Sequence, residues 1–386
     1  MARRRIRKRS PRARGPARSW VVAVLVVGAL AVALYVLTRG PGVQPVASPE
    51  VRLERTADHP ARAAAARPRS KTSLAPSLVA APGEGGPLAL SPAPTFGASG
   101  PAFRVVWRRV ADLPESRARF GAAVAGGRIW VVGGESRNGV LASAVTYDPA
   151  ADRWTPAGTM RAARSNHGLV AVDGRIWAIG GFNGEALLGG VEVLDPSTGS
   201  WTTVEGAGGS MPTPRSGFAC AAVGGRIWTF GGDHPVIEVF DTATRRWESR
   251  GNMPSPLSAA SAVVSRDLVY LIGGFGGAAA SPAIRVYDTR AGRWLSDAAP
   301  MQQARAGLAV VDDAGGAVFS IGGTFRSPLS LVEVCRAPGE PWWGMDDLPA
   351  PRANLRAVIA RGKLYAIGGM DRAAEVSVFE GTVTPP

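Results

Sequence analysis

Apolar residues along the chain follow two different patterns. Near the amino terminus, Trp20 to Leu37 is a run of 18 residues without a charged side chain. As a helix this run would span about 27 Å, close to the thickness of the hydrocarbon core of a bilayer. After residue 103 the apolar residues come in short runs, which predict β-strands. The chain therefore divides into an apolar amino-terminal segment and a larger all-β region.

Six of the short runs contain an aromatic residue and end in two glycines. Two examples are Arg-Ile-Trp-Val-Val at 128–132 and Lys-Leu-Tyr-Ala-Ile at 363–367. The doublets are Gly133-Gly134, Gly180-Gly181, Gly231-Gly232, Gly273-Gly274, Gly322-Gly323 and Gly368-Gly369. Since each run has the composition of a strand, each doublet marks a strand end at which side chains are absent.

A tryptophan recurs in the same region with nearly constant spacing. The six are Trp107, Trp154, Trp201, Trp247, Trp294 and Trp342, separated by 47, 47, 46, 47 and 48 residues. Seven residues before the last five stand Tyr147, Leu194, Phe240, Tyr287 and Cys335. A repeat of several short strands with this period predicts the blades of a β-propeller.

Three features of the repeat resemble the kelch-repeat family, here as a bacterial membrane-anchored member. They are the glycine doublet, a Tyr-Asp pair such as Tyr147-Asp148, and the tryptophan at a fixed offset. The resemblance covers residues 103–384 and implies an all-β fold, a six-bladed kelch-type β-propeller with four-stranded blades around a central channel. The sixth unit has its doublet, but the chain ends before its tryptophan. We therefore expect residues 103–107 to supply the last strand and close the ring.

The residues before the propeller predict a membrane anchor. Residues 1–18 carry nine Lys or Arg and no acid, so the positive-inside rule places them in the cytoplasm. We expect a basic cytoplasmic tail at 1–19, a transmembrane signal-anchor helix at 20–38 and a Pro/Ala-rich disordered linker at 39–102. A cleaved signal peptide is the alternative. Anchored by this single helix in the inner (cytoplasmic) membrane, the propeller would lie in the periplasm or outside the cell.

The charge and the cysteine content limit the kinds of ligand and reaction that can be expected of the propeller. Residues 103–386 carry 28 basic and 26 acidic residues, a net charge of only +2 out of +14 for the whole chain. This balance does not favour a nucleic-acid partner. Cys220 and Cys335 stand in no metal-ligand spacing, so neither a metal nor a cofactor is expected. A kelch-type copper radical oxidase would need two His and two Tyr ligands, and the region has only His167 and His234.

One repeat position carries an arginine in five of the six units. The resemblance implies that this position lines the channel mouth in kelch domains that bind acidic peptides. The residues are Arg117, Arg164, Arg215, Arg305 and Arg352. Phe182 and Phe275, directly after doublets, are expected to add apolar contacts, and Arg119 is a weaker further candidate. The alternative is that these arginines tie blades together through neighbouring acids and carbonyls.

These observations favour a non-enzymatic binding module displayed outside the cytoplasm, recognising an acidic protein segment or glycan at the channel mouth. A carbohydrate-active epimerase or mutarotase of the periplasmic kelch type is one alternative. Its candidate acids follow doublets: Glu135, Glu185, Asp233 and Asp371. An architectural cell-envelope protein is another alternative, and the oligomeric state stays open.

Overall fold

The computed structural model describes residues 103–313 and 315–385. The expected cytoplasmic tail, anchor helix and linker lie outside these residues. Among the described residues, no helix has the length and hydropathy needed to span a membrane.

The described residues form 28 strands and one short 3₁₀-helix, Gly206–Gly208. In chain order the strands are β1 (Arg104–Val110), β2 (Gly121–Ala125), β3 (Arg128–Val132), β4 (Glu135–Ser136), β5 (Gly139–Val140), β6 (Ser143–Asp148), β7 (Arg153–Thr159), β8 (Gly168–Val172), β9 (Arg175–Phe182), β10 (Leu187–Asp195), β11 (Ser200–Thr203), β12 (Phe218–Val223), β13 (Arg226–Gly231), β14 (Val236–Asp241), β15 (Arg246–Asn252), β16 (Ser261–Ser265), β17 (Leu268–Ile272), β18 (Phe275–Gly276), β19 (Ala279–Ala280), β20 (Ile284–Asp288), β21 (Arg293–Trp294), β22 (Ala309–Asp312), β23 (Val318–Ile321), β24 (Val332–Cys335), β25 (Trp343–Gly344), β26 (Arg356–Ala360), β27 (Lys363–Ile367) and β28 (Val378–Thr384).

Most of these strands belong to six antiparallel four-stranded sheets, which are the blades of the propeller. From the innermost strand outwards, the sheets are β2-β3-β6-β7, β8-β9-β10-β11, β12-β13-β14-β15, β16-β17-β20-β21, β22-β23-β24-β25 and β26-β27-β28-β1, called blades 1 to 6. The six innermost strands contact one another in a closed circle. Two small hairpins, β4-β5 and β18-β19, extend the loops of blades 1 and 4. The predicted six-bladed β-propeller is confirmed.

Blade 6 closes the ring with strands from both ends of the region. Strand β1 pairs with β28 from Arg104 opposite Thr384 to Val110 opposite Val378. Trp107 lies opposite Gly381, where the absent side chain leaves room for the indole ring. The expected closure is confirmed, and it removes two sheet edges that would otherwise be exposed.

The hydrophobic core lies between neighbouring blades. One cluster combines Phe120 and Tyr147 of blade 1 with Tyr365 and Ile367 of blade 6. The rings of Tyr147 and Tyr365 are 5.9 Å apart and meet edge to face. Because each blade buries both faces against its neighbours, the doublet strands consist almost entirely of buried apolar residues, as β3 shows.

The glycine doublets lie where one blade contacts the next. The N–H of the second glycine, Gly134, donates to the Arg164 carbonyl of blade 2 at 2.9 Å, and all six blades repeat this bond at 2.8–3.0 Å. The first glycine, Gly133, has φ +60, and a Cβ there would lie 2.5 Å from the same carbonyl oxygen. Both the backbone conformation and the close approach therefore require glycine.

The steric role of the doublet is testable with two matched substitutions. Gly126 has φ +59, but no atom lies within 4 Å of the position that a Cβ would take, so Gly126→Ala meets the same backbone strain without the clash. We expect Gly133→Ala to lower the free energy of unfolding by about 1–3 kcal/mol more than Gly126→Ala. Chemical denaturation of both variants measures the difference. Equal losses would show that the interblade contact is not the constraint.

Candidate functional site: the loop face and the channel mouth

The loops that follow the outermost strand and the doublet strand of each blade share one face of the propeller, called here the loop face. At its centre six residues, one from each blade, form a closed circle of backbone hydrogen bonds of 2.7–3.0 Å. The residues are Arg119, Asn166, Gly217, Ala259, Gly307 and Asn354. We call this circle the mouth ring.

All six residues of the mouth ring have positive φ angles, from 50° to 66°. This left-handed conformation turns the N–H and the carbonyl of each residue towards its neighbours in the ring. Only two of the six are glycine, so the other four adopt a conformation that L-residues seldom take. The cavity at the ring has a volume of about 30 Å³, which is room for about two water molecules.

The five arginines predicted to line the channel mouth lie instead inside the blades, two residues before the mouth ring. Arg117, Arg164, Arg215, Arg305 and Arg352 are each at most 1% exposed. The prediction that their guanidinium groups present positive charge at the mouth is therefore wrong. The physical reason is that each guanidinium is used by groups of its own blade.

Each of the five arginines donates from one terminal nitrogen to two backbone carbonyls. Arg164 reaches the Gly180 carbonyl at 2.9 Å and the Gly190 carbonyl at 2.8 Å. Arg305 likewise reaches the Gly322 carbonyl at 3.0 Å and the Leu331 carbonyl at 2.8 Å. The side chain thus joins the end of the doublet strand to the start of the next strand. The guanidinium therefore has a tying role within its own blade, whereas the bond to the neighbouring blade comes from the backbone carbonyl of the arginine. The alternative, in which the arginines tie neighbouring blades together, is supported for the backbone and not for the side chain.

Three of the arginines also form buried ion pairs with glutamates on the third strand of their blades. The pairs are Arg164–Glu192 at 2.7 Å, Arg215–Glu238 at 3.0 Å and Arg305–Glu333 at 2.9 Å. Burial lowers the pKa of Arg305 and raises the pKa of Glu333, while the opposite charge of each partner acts against that shift. Sequence reasoning missed these glutamates, although each stands two residues before the repeat position occupied by Leu194, Phe240 or Cys335.

Arg119, the weaker candidate, is the arginine that lies at the mouth. It belongs to the mouth ring and forms an ion pair with Glu135, and both side chains are partly exposed. The pair neutralises the charge that Arg119 would otherwise contribute to the opening.

The two predicted phenylalanines lie on the loop face but in different blades. Phe182 and Phe275 are half-buried, and their backbones bridge to Ser165 and Ser258 of the preceding loops. Sequence reasoning missed two apolar residues that are more exposed, Leu187 at 50% and Phe325 at 44%. Both residues follow a glycine doublet, in the loops whose length varies between repeats. This position in the repeat was the sequence signal from which they could have been identified.

Blade 4 differs from the other blades on the loop face. Leu257 takes the place of the buried arginine, and Arg285 takes the place of the glutamate, donating instead to the Ser255 carbonyl at 3.1 Å. No charged residue occurs in 252–265 or in 268–284. The exposed surface of blade 4 on this face consists of small and apolar residues: Pro254, Ser255, Pro256, Gly276, Gly277, Ala278 and Ala279. We call these residues the blade-4 patch.

The residues that the sequence offered for catalysis do not converge in the part of the chain that the structure describes. The candidate acids of an epimerase are spread over different loops, with Glu185, Asp233 and Asp371 exposed to solvent. Within residues 103–313 and 315–385, no three His, Cys, Asp or Glu side chains come together in a way that would hold a metal. Burial raises the pKa of both Cys220 and Cys335 to about 12, which keeps the free thiols protonated and unreactive.

The tying role of the arginines predicts a large loss of stability on substitution. Arg164→Met would leave Glu192 buried without a counter-charge and two carbonyls without a donor. We expect the free energy of unfolding to fall by about 3–5 kcal/mol. Arg153→Met, at an exposed position on β7, should change it by less than about 0.5 kcal/mol. Urea denaturation compares the two, and equal stabilities would rule out the tying role.

Comparison with known protein families identifies the repeats. A model described as the KLHDC2/KLHL20/DRC7 Kelch-repeats domain matches residues 104–232. A second model, the Kelch motif, matches residues 214–254 and 256–301. The two models together cover most of blades 1 to 4 and overlap in blade 3.

Several known proteins are similar to this chain in sequence. Beta-scruin of Limulus polyphemus is 26% identical over 278 residues, which are 65% of this chain and 24% of beta-scruin. Kelch-like protein 34 of Homo sapiens is 27% identical over 290 residues, which are 68% of this chain and 36% of that protein. The chain thus spans well under half the length of these relatives.

A solved structure of YjhT has the same fold. It superposes with a TM-score of 0.60 at 17% sequence identity and covers 72% of this chain and 99% of its own. The strand order, the repeat markers and these similarities agree, and the chain belongs to the kelch-repeat family.

Proposed function

We propose that this propeller is a protein-binding module, and that its partner docks on the loop face across the blade-4 patch and the adjoining loop of blade 5. The observation that carries the proposal is the exposed surface of small and apolar residues in the blade-4 patch, together with the exposed ring of Phe325 on the loop of the neighbouring blade. Kelch propellers are generally protein-binding modules, and the similarity to kelch-like proteins supports the same role here.

The composition of the patch suits a protein contact. Small side chains let another backbone approach closely, and prolines and alanines lose little conformational entropy when they are covered. Phe325 supplies an aromatic side chain of the kind that dominates binding energy, with the Arg326 guanidinium 5.6 Å from its ring centre. The patch itself has no charged side chain, although the Arg285 guanidinium lies at the Ser255 carbonyl.

The chemistry of the loop face also weighs against the alternatives. An acidic ligand was expected because of the five arginines, and their burial removes that basis. A glycan would need polar groups for its hydroxyls, which the blade-4 patch provides only sparingly. The epimerase alternative is not favoured, because its candidate acids do not converge. The partner surface that fits best is therefore an apolar protein segment.

Site-specific photo-crosslinking tests the proposed docking face. A photoreactive residue at Ala279, in the patch, should give an adduct with one partner in the native cell, whereas one at Ala150, exposed on the opposite face, should not. Phe325→Asp should reduce the Ala279 adduct. Val106→Asp, which changes an apolar residue that is 70% exposed on the outer strand β1, should leave it unchanged. Adducts of equal yield from both positions would contradict the proposal.

We further propose that the propeller is held outside the cytoplasm by a single amino-terminal helix. The support is the sequence alone: the uncharged run from Trp20 to Leu37, preceded by nine basic residues.

Protease protection tests this topology. Protease added to intact spheroplasts should degrade the propeller while a cytoplasmic marker stays intact. A propeller that is protected until the cells are lysed would place it in the cytoplasm and overturn the proposal.

A further inference from the structure

The central channel of the propeller encloses a cavity that the proposed docking face does not use. The cavity has a volume of about 310 Å³ and is lined by the innermost strands β2, β8, β12, β16, β22 and β26. Most lining residues are glycine, alanine or valine, so the side chains of the wall are small, and polar atoms form more of its accessible surface than apolar atoms do. The mouth ring narrows the end of the channel at the loop face.

The layer of side chains directly below the mouth ring is strongly asymmetric. Two residues after each ring position, five blades carry a small residue: Gly121, Gly168, Ala219, Ser261 and Ala309. The sixth blade carries Arg356, whose side chain lines both the channel cavity and the small cavity at the ring. A single cation therefore occupies a layer in which its five neighbours leave open space.

Arg356 is not compensated by an acid. Its guanidinium donates one hydrogen bond, to the Leu355 carbonyl at 3.0 Å, and it forms no ion pair with a carboxylate among the described residues. Burial lowers the pKa of Arg356 to about 10, and no neighbouring charge offsets that shift. The group is still protonated at neutral pH. This differs from Arg164, Arg215 and Arg305, each of which has a glutamate partner.

A second polar side chain beside the same cavity has unused hydrogen-bonding groups. His167 occupies the repeat position that holds Phe120 in blade 1 and Phe218 in blade 3, and it is 3% exposed. Neither of its ring nitrogens makes a hydrogen bond of full geometry among the described residues. Burial, together with the charges of Arg164 and Arg356, holds the pKa of His167 well below its ordinary value, and the nearby backbone of Arg164 acts against that shift. The neutral ring has one N–H, for which the Arg164 backbone competes with a ligand.

The acids nearest to the channel do not complete an ion pair with Arg356. Asp312 lies three residues further along the inner strand of blade 5, which corresponds to about 10 Å along the channel. Asp312 lines the same cavity, but it is exposed to solvent at the opposite end of the channel, next to Asp313. Arg356 makes no contribution to the pKa of Asp312.

We propose that the channel binds a small oxyanion, whose oxygen atoms accept hydrogen bonds from the guanidinium of Arg356 in the layer below the mouth ring. Hydrogen bonds between charged groups are stronger than those between neutral groups, and the planar guanidinium matches carboxylate, sulfate and phosphate groups. The cavity has room for a ligand of several non-hydrogen atoms.

Isothermal titration calorimetry of the full-length chain tests the site, with sodium sulfate, sodium phosphate and sodium acetate as separate titrants. We expect one anion per chain; sulfate or phosphate binding would identify an inorganic tetrahedral ligand, and acetate binding a carboxylate. Arg356→Met should weaken binding by at least about tenfold, because hydrogen bonds to a charged group are lost. Arg153→Met, the exposed control, should bind like the wild type. Absence of binding for all three anions, or unchanged binding by Arg356→Met, would overturn the proposal.

If Arg356→Met does not fold, a measurement on the wild-type protein can still test the proposal. Crystals soaked in sodium selenate locate the ion by the anomalous signal of selenium. We expect a peak within hydrogen-bond distance of the Arg356 guanidinium. A channel without selenium, or selenium bound only on the outer surface, would exclude the site.

Discussion

The propeller depends on one repeated contact, in which a buried arginine and a glycine doublet hold neighbouring blades together. The carbonyl of Arg164 accepts a hydrogen bond from the doublet of blade 1, and its guanidinium donates to the doublet of its own blade. The contact is possible only because Gly133 has no side chain where that carbonyl approaches. Two sequence markers that seem independent along the chain are therefore the two halves of one interaction.

This contact also positions the functional surface. Since the arginine is held inside the blade, the backbone two residues later is carried to the axis, where the six blades close the mouth ring. The arginine itself cannot reach a ligand, and recognition is left to the loop tips and to the channel. In blade 4 the carbonyl of Leu257 accepts the same interblade hydrogen bond, but no arginine is buried there. The loops of blade 4 on the loop face contain no charged residue either. The loop face is thus asymmetric although its scaffold is nearly sixfold.

The channel shows the same contrast between a repeated scaffold and a single exception. Five small residues in the layer below the ring would suit an empty or water-filled channel, whereas Arg356 introduces a charge that no carboxylate of the described residues pairs. Burying a charge is costly unless hydrogen bonds or an opposite charge compensate it. A half-buried cation without an acidic partner in the channel is therefore more informative about ligands than the five buried arginines, whose terminal nitrogens are bonded within their own blades.

The sequence by itself determined the blade number, the strand order and the closure by residues 103–107, because these follow from a repeat of constant length and from the missing last tryptophan. It did not determine which way the repeated arginines point. The same guanidinium binds a ligand or a backbone carbonyl equally well, and the choice depends on carbonyls from Gly180 and Gly190 that come together only in the folded blade. The ion pair with Glu192, the neutralisation of Arg119 by Glu135 and the isolation of Arg356 were likewise decided by the tertiary structure, since each depends on distances between residues far apart along the chain or in different blades.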